Sequence, residues 1–186
     1  MSTQVATDRD LELVSEILTR SANDLYMVVD QELSVHDLRT ERISKRAAGE
    51  GQIHISFRFG FEFGGDSFQG CLLMPLPEAM TLAGYLMMAP EEDILAYRTQ
   101  EPNEMLKDAM LEINSFLAGS CDAAMRSWYP ECAVRPEGCQ GVRADVRPAL
   151  DYIEGDELVL GRAEAQIGDF DSFEMLLMIP ALPGVD

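Results

Sequence analysis

The sequence is poor in basic residues, with 14 Lys and Arg against 33 Asp and Glu in 186 residues, a formal net charge of −19. A surface this negative repels nucleic-acid phosphates and anionic lipid headgroups, which argues against nucleic acid and membranes as partners. Protein partners that present cations remain compatible with this charge. The apolar fraction of 47% and the charged fraction of 25% are typical of a folded globular protein.

Metal-binding residues are also scarce, namely Cys71, Cys121, Cys132, Cys139, His36 and His54. No two cysteines form a C-x-x-C pair and the histidines lie far from them, so we expect no metal site and four reduced thiols. Long hydrophobic runs are absent too. The longest nearly apolar stretch, 175–185, contains two prolines and is far shorter than the roughly 18 residues of a membrane span. Because the N-terminus has no apolar signal-like region, we expect a cytoplasmic protein.

Hydrophobic periodicity predicts two long amphipathic helices. In the first, over 8–30, apolar residues recur at steps of three and four, and Asp8 or Asp10 can cap it. The second runs over 102–128 and stops before Pro130. A shorter helix is predicted from Pro77 to about Met88, followed by a connector over 91–100 with one or two helical turns.

The clearest strand covers 53–63, where isoleucines and phenylalanines alternate with polar residues or glycine. A period of two predicts one buried and one solvated face, hence an antiparallel sheet with helices on one side. Gly64-Gly65-Asp66 is predicted to turn the chain. The other predicted strands are Ser34–Leu38, Ser67–Leu76, Cys132–Arg135, Val142–Val146, Glu157–Ile167 and Ser172–Ile179. The basic run Arg39, Arg42, Lys45 and Arg46, with residues 47–51 after it, is interpreted as a solvated loop.

Two pairs of segments suggest an internal duplication. Residues 66–74 resemble 171–178, and the helical segment 12–19 resembles 108–115. Chance similarity between amphipathic elements is the alternative. The duplication predicts one domain over 1–186, built from pseudo-repeat halves of about 8–89 and 91–182 that share one sheet.

Helical geometry places Asp108, Glu112, Ser115 and Gly119 in one line on the solvent side of the second long helix, because a helix turns about 100° per residue. Asn114 lies on the flank of the buried stripe instead. Gly119 costs about 1 kcal/mol relative to Ala in a helix interior, and one reason to keep it is the close approach of another backbone. Plain solvation is the alternative explanation for acids on an exposed face.

The segment from Asp108 to Gly119 resembles the signature helix of the CheC/CheX chemotaxis phosphatases, D/S-x-x-x-E-x-x-N-x-x-x-G. Residues 70–87 and the duplicated layout are also similar to this family, so the resemblance covers about 8–182. It implies an α+β fold, an internally duplicated antiparallel sheet of the CheC/CheX type with two long helices packed on one face.

The resemblance also implies a function. In that family the helix docks on a phosphorylated CheY-type receiver, the Glu engages the receiver's active-site Lys, and the Asn orients the water that attacks the aspartyl phosphate. Glu112, Ser115 and Asn114 are therefore the candidate catalytic residues, and Asp108 and Gly119 the candidate binding residues. No cofactor of the protein's own is expected, since the receiver would carry the Mg²⁺. A homodimer is left open.

The sequence departs from the signature at its Asn, where Ser115 stands and Asn114 comes one residue early. In the first half, Thr19 takes this place and Glu12 and Glu16 take the acidic ones. Three outcomes stay open: a bulge turns Asn114 outward, Ser115 positions water less well, or the protein binds without hydrolysis, as flagellar-switch proteins of the wider superfamily suggest. An unrelated small-molecule enzyme is the weakest reading, because no nucleotide-binding, zinc-protease or serine-hydrolase motif is present.

Overall fold

A computed structural model describes residues 6–46 and 51–182 as alternating helices and strands. The elements are α1 (Asp8–Val29), β1 (Leu33–Ile43), β2 (His54–Phe63), β3 (Asp66–Pro75), α2 (Leu76–Leu86), α3 (Glu91–Tyr97), α4 (Glu104–Trp128), β4 (Ala133–Val142), β5 (Leu158–Ile167) and β6 (Phe173–Pro180). Both predicted long helices are present, within two residues of their predicted ends.

The two long helices begin at side-chain caps that the sequence encodes. Thr7 and Asp10 form a reciprocal capping box at the start of α1, each side chain bonding the other's backbone N–H. The Asn103 side chain accepts from the backbone N–H of Leu106 at the start of α4. Asp30 ends α1 in the left-handed conformation.

The strands form one six-stranded sheet in the order β1-β5-β6-β3-β2-β4, and every pairing is antiparallel. The β2–β3 hairpin turns at Gly64 and Gly65, which have φ values of 62° and 89°. Positive φ at both positions suits the right-handed twist of a tight hairpin. The predicted α+β fold with an antiparallel sheet is confirmed.

The strand order reflects the duplicated layout. β3 and β6, which carry the similar segments, are neighbours at the centre, where Leu72 lies opposite Leu177. β2 and β5 flank them, and β1 and β4 form the outer edges. Each edge strand pairs with a strand of the other half, β1 with β5 and β4 with β2. The first strand of each half is thus exchanged between the halves.

α1 and α4 pack side by side and run antiparallel. The Ser120 hydroxyl donates to Asp24 at 2.6 Å, and the Ser127 hydroxyl donates to Glu16 at 3.0 Å. Both helices contribute to the main apolar core together with one face of the sheet. The predicted pair of long helices on one face is confirmed.

The opposite face of the sheet is not fully solvated, contrary to the expectation from alternation. The segment after β4 folds across it, and Ala149 and Leu150 form a second small core with apolar residues of the sheet. Ser56, predicted to face water, is buried and donates to Ala149 O at 2.9 Å. The hydroxyl tolerates burial because the covering segment supplies an acceptor.

The basic run is not the solvated loop we expected. Arg39 and Arg42 lie within β1, which extends five residues beyond the predicted strand end. Arg42 forms an ion pair with Asp10 at 3.0 Å, and Arg46 is buried beneath the Tyr152 ring. Residues 47–50 of the predicted loop lie outside the described residues.

Two further boundaries differ from the prediction. β4 is one continuous strand through Val142, so the predicted strand over 142–146 is wrong; beyond Val142 only an isolated bridge joins Arg143 and Arg147. The connector over 91–100 contains the short helix α3. Arg98 at its end bonds Glu78 at 2.7 Å, and this contact ties α3 to α2.

Candidate functional site

The exposed face of α4 carries the line of side chains expected from the sequence. Asp108, Glu112, Ser115 and Gly119 are all exposed, while the opposite stripe of the helix is buried. Within residues 6–46 and 51–182, neither Asp108 nor Glu112 forms an ion pair or side-chain hydrogen bond. Their carboxylates are therefore available to a cation from outside the chain.

Gly119 lies where the surface of α4 is open. A Cβ placed there would meet nothing within 4 Å, whereas one at Gly161 would collide with Val14. Packing within the described chain therefore explains the glycine at 161 but not the one at 119. A flat, side-chain-free position on an exposed helix permits the close approach of another backbone.

Ser115 occupies the exposed position where the signature has Asn. Its hydroxyl donates to the carbonyl oxygen of Leu111, one turn earlier, at 3.2 Å. In this arrangement the single hydroxyl hydrogen points at the helix backbone, and the oxygen is left to accept hydrogen bonds from outside. A carboxamide that pointed outward could both donate and accept hydrogen bonds.

Asn114 lies inside the protein, with 1% of its surface exposed. Its amide nitrogen donates to the carbonyl oxygens of Arg58 at 3.3 Å and Gly138 at 3.1 Å. These carbonyls lie within the shift in register between β2 and β4, so the carboxamide bonds backbone groups at an irregular part of the ladder. Asn114 Oδ1 has no hydrogen-bond partner among the described residues. α4 continues through residue 114 without interruption, and no bulge turns the side chain outward.

The corresponding acid on α1 has a different environment, which spacing arguments did not reveal. Glu16 accepts from the Trp128 indole at 2.7 Å and from the Ser127 hydroxyl at 3.0 Å. Arg20 lies 3.7 Å away. The carboxylate of Glu16 is therefore engaged within the chain, whereas that of Glu112 is free. The residue that distinguishes Glu16 from Glu112 is Trp128 at the end of α4. Its contact with Glu16 depends on how the two helices pack, which local spacing does not indicate.

The four cysteines are free thiols, and three of them are buried. Burial raises the pKa of Cys71 and Cys139 to about 12 and that of Cys132 to about 11, and it also raises the pKa of Cys121. Neutral thiols are weak nucleophiles. The described parts of the chain contain no group of three His, Cys, Asp or Glu side chains placed to hold a metal ion. They also contain no helix with the length and apolar character needed to cross a bilayer.

Comparison with solved structures identifies the fold. The chain is similar to Thermotoga maritima FliY, with a TM-score of 0.69 and 15% identity over 96% of this chain and 93% of that one. It is similar to Helicobacter pylori FliM in a FliG–FliM complex, with a TM-score of 0.64 and 11% identity over 94% of each chain. It also matches the chemotaxis protein CheX from Desulfovibrio desulfuricans, with a TM-score of 0.58 and 12% identity over 90% of this chain and 97% of that one.

These matches place the chain in one structural class, the fold shared by CheC/CheX-like chemotaxis proteins and by FliY and FliM. No protein-family model matches the sequence, and no curated protein sequence matches it either. The relationship to CheC and CheX expected from the signature is thus confirmed at the level of the fold.

Proposed function

We propose that the protein docks on a phosphorylated CheY-type receiver through the exposed line of α4 and hydrolyses the aspartyl phosphate slowly at most. One contrast carries the proposal: the Glu112 carboxylate is exposed and unpaired, whereas the only carboxamide in this part of the signature, Asn114, is buried and bonded to backbone. The carboxylates proposed for docking are therefore exposed, whereas the carboxamide that would position water is buried.

The docking part follows from charge and shape. Asp108 and Glu112 project a free carboxylate pair toward solvent, and Gly119 leaves room two turns beyond Glu112. A receiver that presents a lysine would complement this line, since opposite charges across an interface guide both encounter and register. The corresponding line on α1 offers a weaker target because Glu16 is already bonded by Trp128.

The expectation that hydrolysis is slow follows from how phosphoryl transfer is catalysed. The protein that supplies the helix contributes mainly by positioning groups around the attacking water. Ser115 has a short side chain whose hydrogen is directed at Leu111 O. For Asn114 to act, it would have to give up two hydrogen bonds and move about 100° around the helix axis.

A flagellar-switch-like scaffold is the second candidate, because a FliM structure is among those similar to this chain, with a TM-score of 0.64. The H. pylori FliM structure is a complex with FliG. A scaffold of this kind would bind a protein partner through the same fold without requiring its phosphorylation.

Calorimetry with a cognate CheY-type receiver, with and without beryllofluoride, tests the proposal. We expect the activated receiver to bind and Glu112→Lys to weaken binding by about tenfold or more, because a like charge replaces the carboxylate that faces a lysine. The matched control is Glu164→Lys, an exposed acid of β5 on the sheet face away from α4, which should leave binding unchanged. Unchanged affinity for Glu112→Lys would exclude this surface. Equal binding of activated and unactivated receiver would favour the scaffold.

A further inference from the structure

A groove of about 620 Å³ lies beside the first turns of α4, between that helix and the β4 side of the sheet. Its apolar lining includes Ile53, Ile55, Leu76, Met110 and Leu111. Ile53 is 47% exposed and Leu111 is 46% exposed. Apolar surface is therefore open to solvent on both sides of the groove.

The rim of this groove on the α4 side is acidic. Glu101, Glu104 and Asp108 line it together with one cation, Lys107. Lys107 is committed to Glu104, with the ammonium nitrogen 2.7 Å from the carboxylate. Lys107 also interacts electrostatically with Glu101. One cation thus faces three acids, so the rim keeps a net negative charge beside an apolar floor.

The surface is less acidic on the far side of Ile53. A neighbouring hollow is lined by Val142 and Val146 together with Arg143 and Arg147, and Arg143 is bonded to Asp145 at 2.7 Å. A basic ligand would therefore gain less there than over the acidic rim beside α4. The charges around the groove therefore favour one orientation for a cationic ligand, with its positive groups over the first turns of α4.

We infer that this groove binds a short segment of a partner protein in which one or two apolar side chains are flanked by lysine or arginine. On binding, the apolar side chains of the segment would move from water onto the apolar surface of the groove, which includes Leu111 and Met110. The flanking cations would lie over Glu101 and Asp108. This binding shares Asp108 with the receiver-docking line but does not require a phosphorylated partner.

Charge alone would not make such binding specific, because a chain with a net charge of −19 attracts cations over much of its surface. The test therefore uses two fluorescein-labelled synthetic peptides of equal charge. One is lysine-rich with leucines at helical spacing, and the other has serine in place of each leucine. Fluorescence anisotropy at physiological ionic strength measures the affinity of each peptide for the full chain.

We expect the leucine peptide to bind at least about tenfold more tightly than the serine peptide. Leu111→Ser and, separately, Ile53→Ser should each weaken the leucine peptide roughly fivefold to tenfold, since each removes one apolar wall. Both residues are substantially exposed, so the variants should fold. The matched control is Leu11→Ser on α1, a leucine 39% exposed away from the groove, which should bind as the parent does.

Three results would overturn the inference. Equal affinity for the two peptides would show that the attraction is only electrostatic. A loss in Leu11→Ser equal to that in Leu111→Ser would show that apolar binding is not specific to the groove. Sedimentation of the unliganded chain tests a different occupant: if Leu111→Ser converts a dimer to a monomer, the groove is a contact between copies of this chain and not a site for a partner segment.

Discussion

The indole N–H of Trp128 donates to Glu16 Oε2 at 2.7 Å and joins the end of α4 to the middle of α1. This bond distinguishes the two repeat-related acidic positions, because it engages Glu16 while Glu112 stays free. The same tryptophan lies under the Arg9 guanidinium, which is 5.6 Å from the ring centre. The Trp128 side chain at the end of α4 thus engages the Glu16 carboxylate on α1, which is then less available to a partner.

Trp128→Phe should destabilise the protein while leaving receiver binding unchanged. The substitution keeps an aromatic ring but removes the donor to a charged acceptor, so we expect the free energy of unfolding to fall by about 1–3 kcal/mol. Urea denaturation followed by circular dichroism measures the change, because Trp128 is the only tryptophan in the chain. Unaltered stability would mean that the bond contributes nothing in solution.

Ser115→Asn should increase dephosphorylation of the receiver. The new carboxamide would stand on the exposed line, with donors and an acceptor where the parent has one committed hydroxyl. Restoring one preorganised polar group is worth on the order of 10²-fold in rate. Phosphate release from a phosphorylated receiver compares the variant with the parent, and Ser115→Ala serves as the control. A parent that is already fast, with no gain from Asn, would contradict the proposed slow hydrolysis.

Asn114→Ala should reduce stability more than catalytic rate. The substitution leaves the carbonyls of Arg58 and Gly138 without their donor and opens a small cavity, for an expected loss of about 2–3 kcal/mol. Denaturant titration measures it, beside an exposed control, Ser115→Ala, expected to change stability by less than about 0.5 kcal/mol. If Asn114→Ala instead removed a robust activity at unchanged stability, Asn114 would be catalytic.

Asp10→Asn should cost stability at neutral pH and progressively less in acid. Burial alone would raise the pKa of Asp10, but hydrogen bonds from Arg42 and Thr7 outweigh it, and the pKa lies below its ordinary value. A lowered carboxyl pKa gives stability that is fully present above the unfolded-state pKa and is lost as the pH falls through the folded-state pKa. We expect a loss of about 2–3 kcal/mol near neutral pH.

Urea titrations of Asp10→Asn and the parent at neutral pH and in steps below about pH 4 follow this difference. Asp145→Asn is the control, because its carboxylate also bonds an arginine but lies fully in solvent. A difference between Asp10→Asn and the parent that stays constant down to the lowest pH would show that the ionised Asp10–Arg42 pair does not stabilise the fold.

The parts of the structure that follow a local period could be predicted from the sequence. The stripe of α4 buries one face and exposes Glu112 and Ser115, as helical geometry requires. Alternation in β2 indicated a strand, and the paired glycines indicated its turn. Spacing placed Asn114 only on the flank of the buried stripe. Its full burial and its two carbonyl partners could not be predicted, since they depend on a shift in register between β2 and β4.

The parts that depend on distant partners could not be predicted. Arg42 belongs to a strand because β5 extends beside it and Asp10 pairs with it from α1. Ala149 lies in a segment without hydrophobic periodicity, yet it covers Ser56 on the face of the sheet opposite α1 and α4. Such contacts join residues far apart in sequence, and neither composition nor local pattern indicates them.

The exchange of edge strands has a consequence for how the chain can be divided. A fragment ending after α2 would keep the β2–β3 hairpin but lose β5, the only strand that pairs with β1 among the described residues. The other fragment would likewise leave β4 without β2. Either piece made alone would have to recruit a second copy to complete its ladder. Carrying both parts in one chain makes the strand exchange a folding step within one molecule, independent of protein concentration.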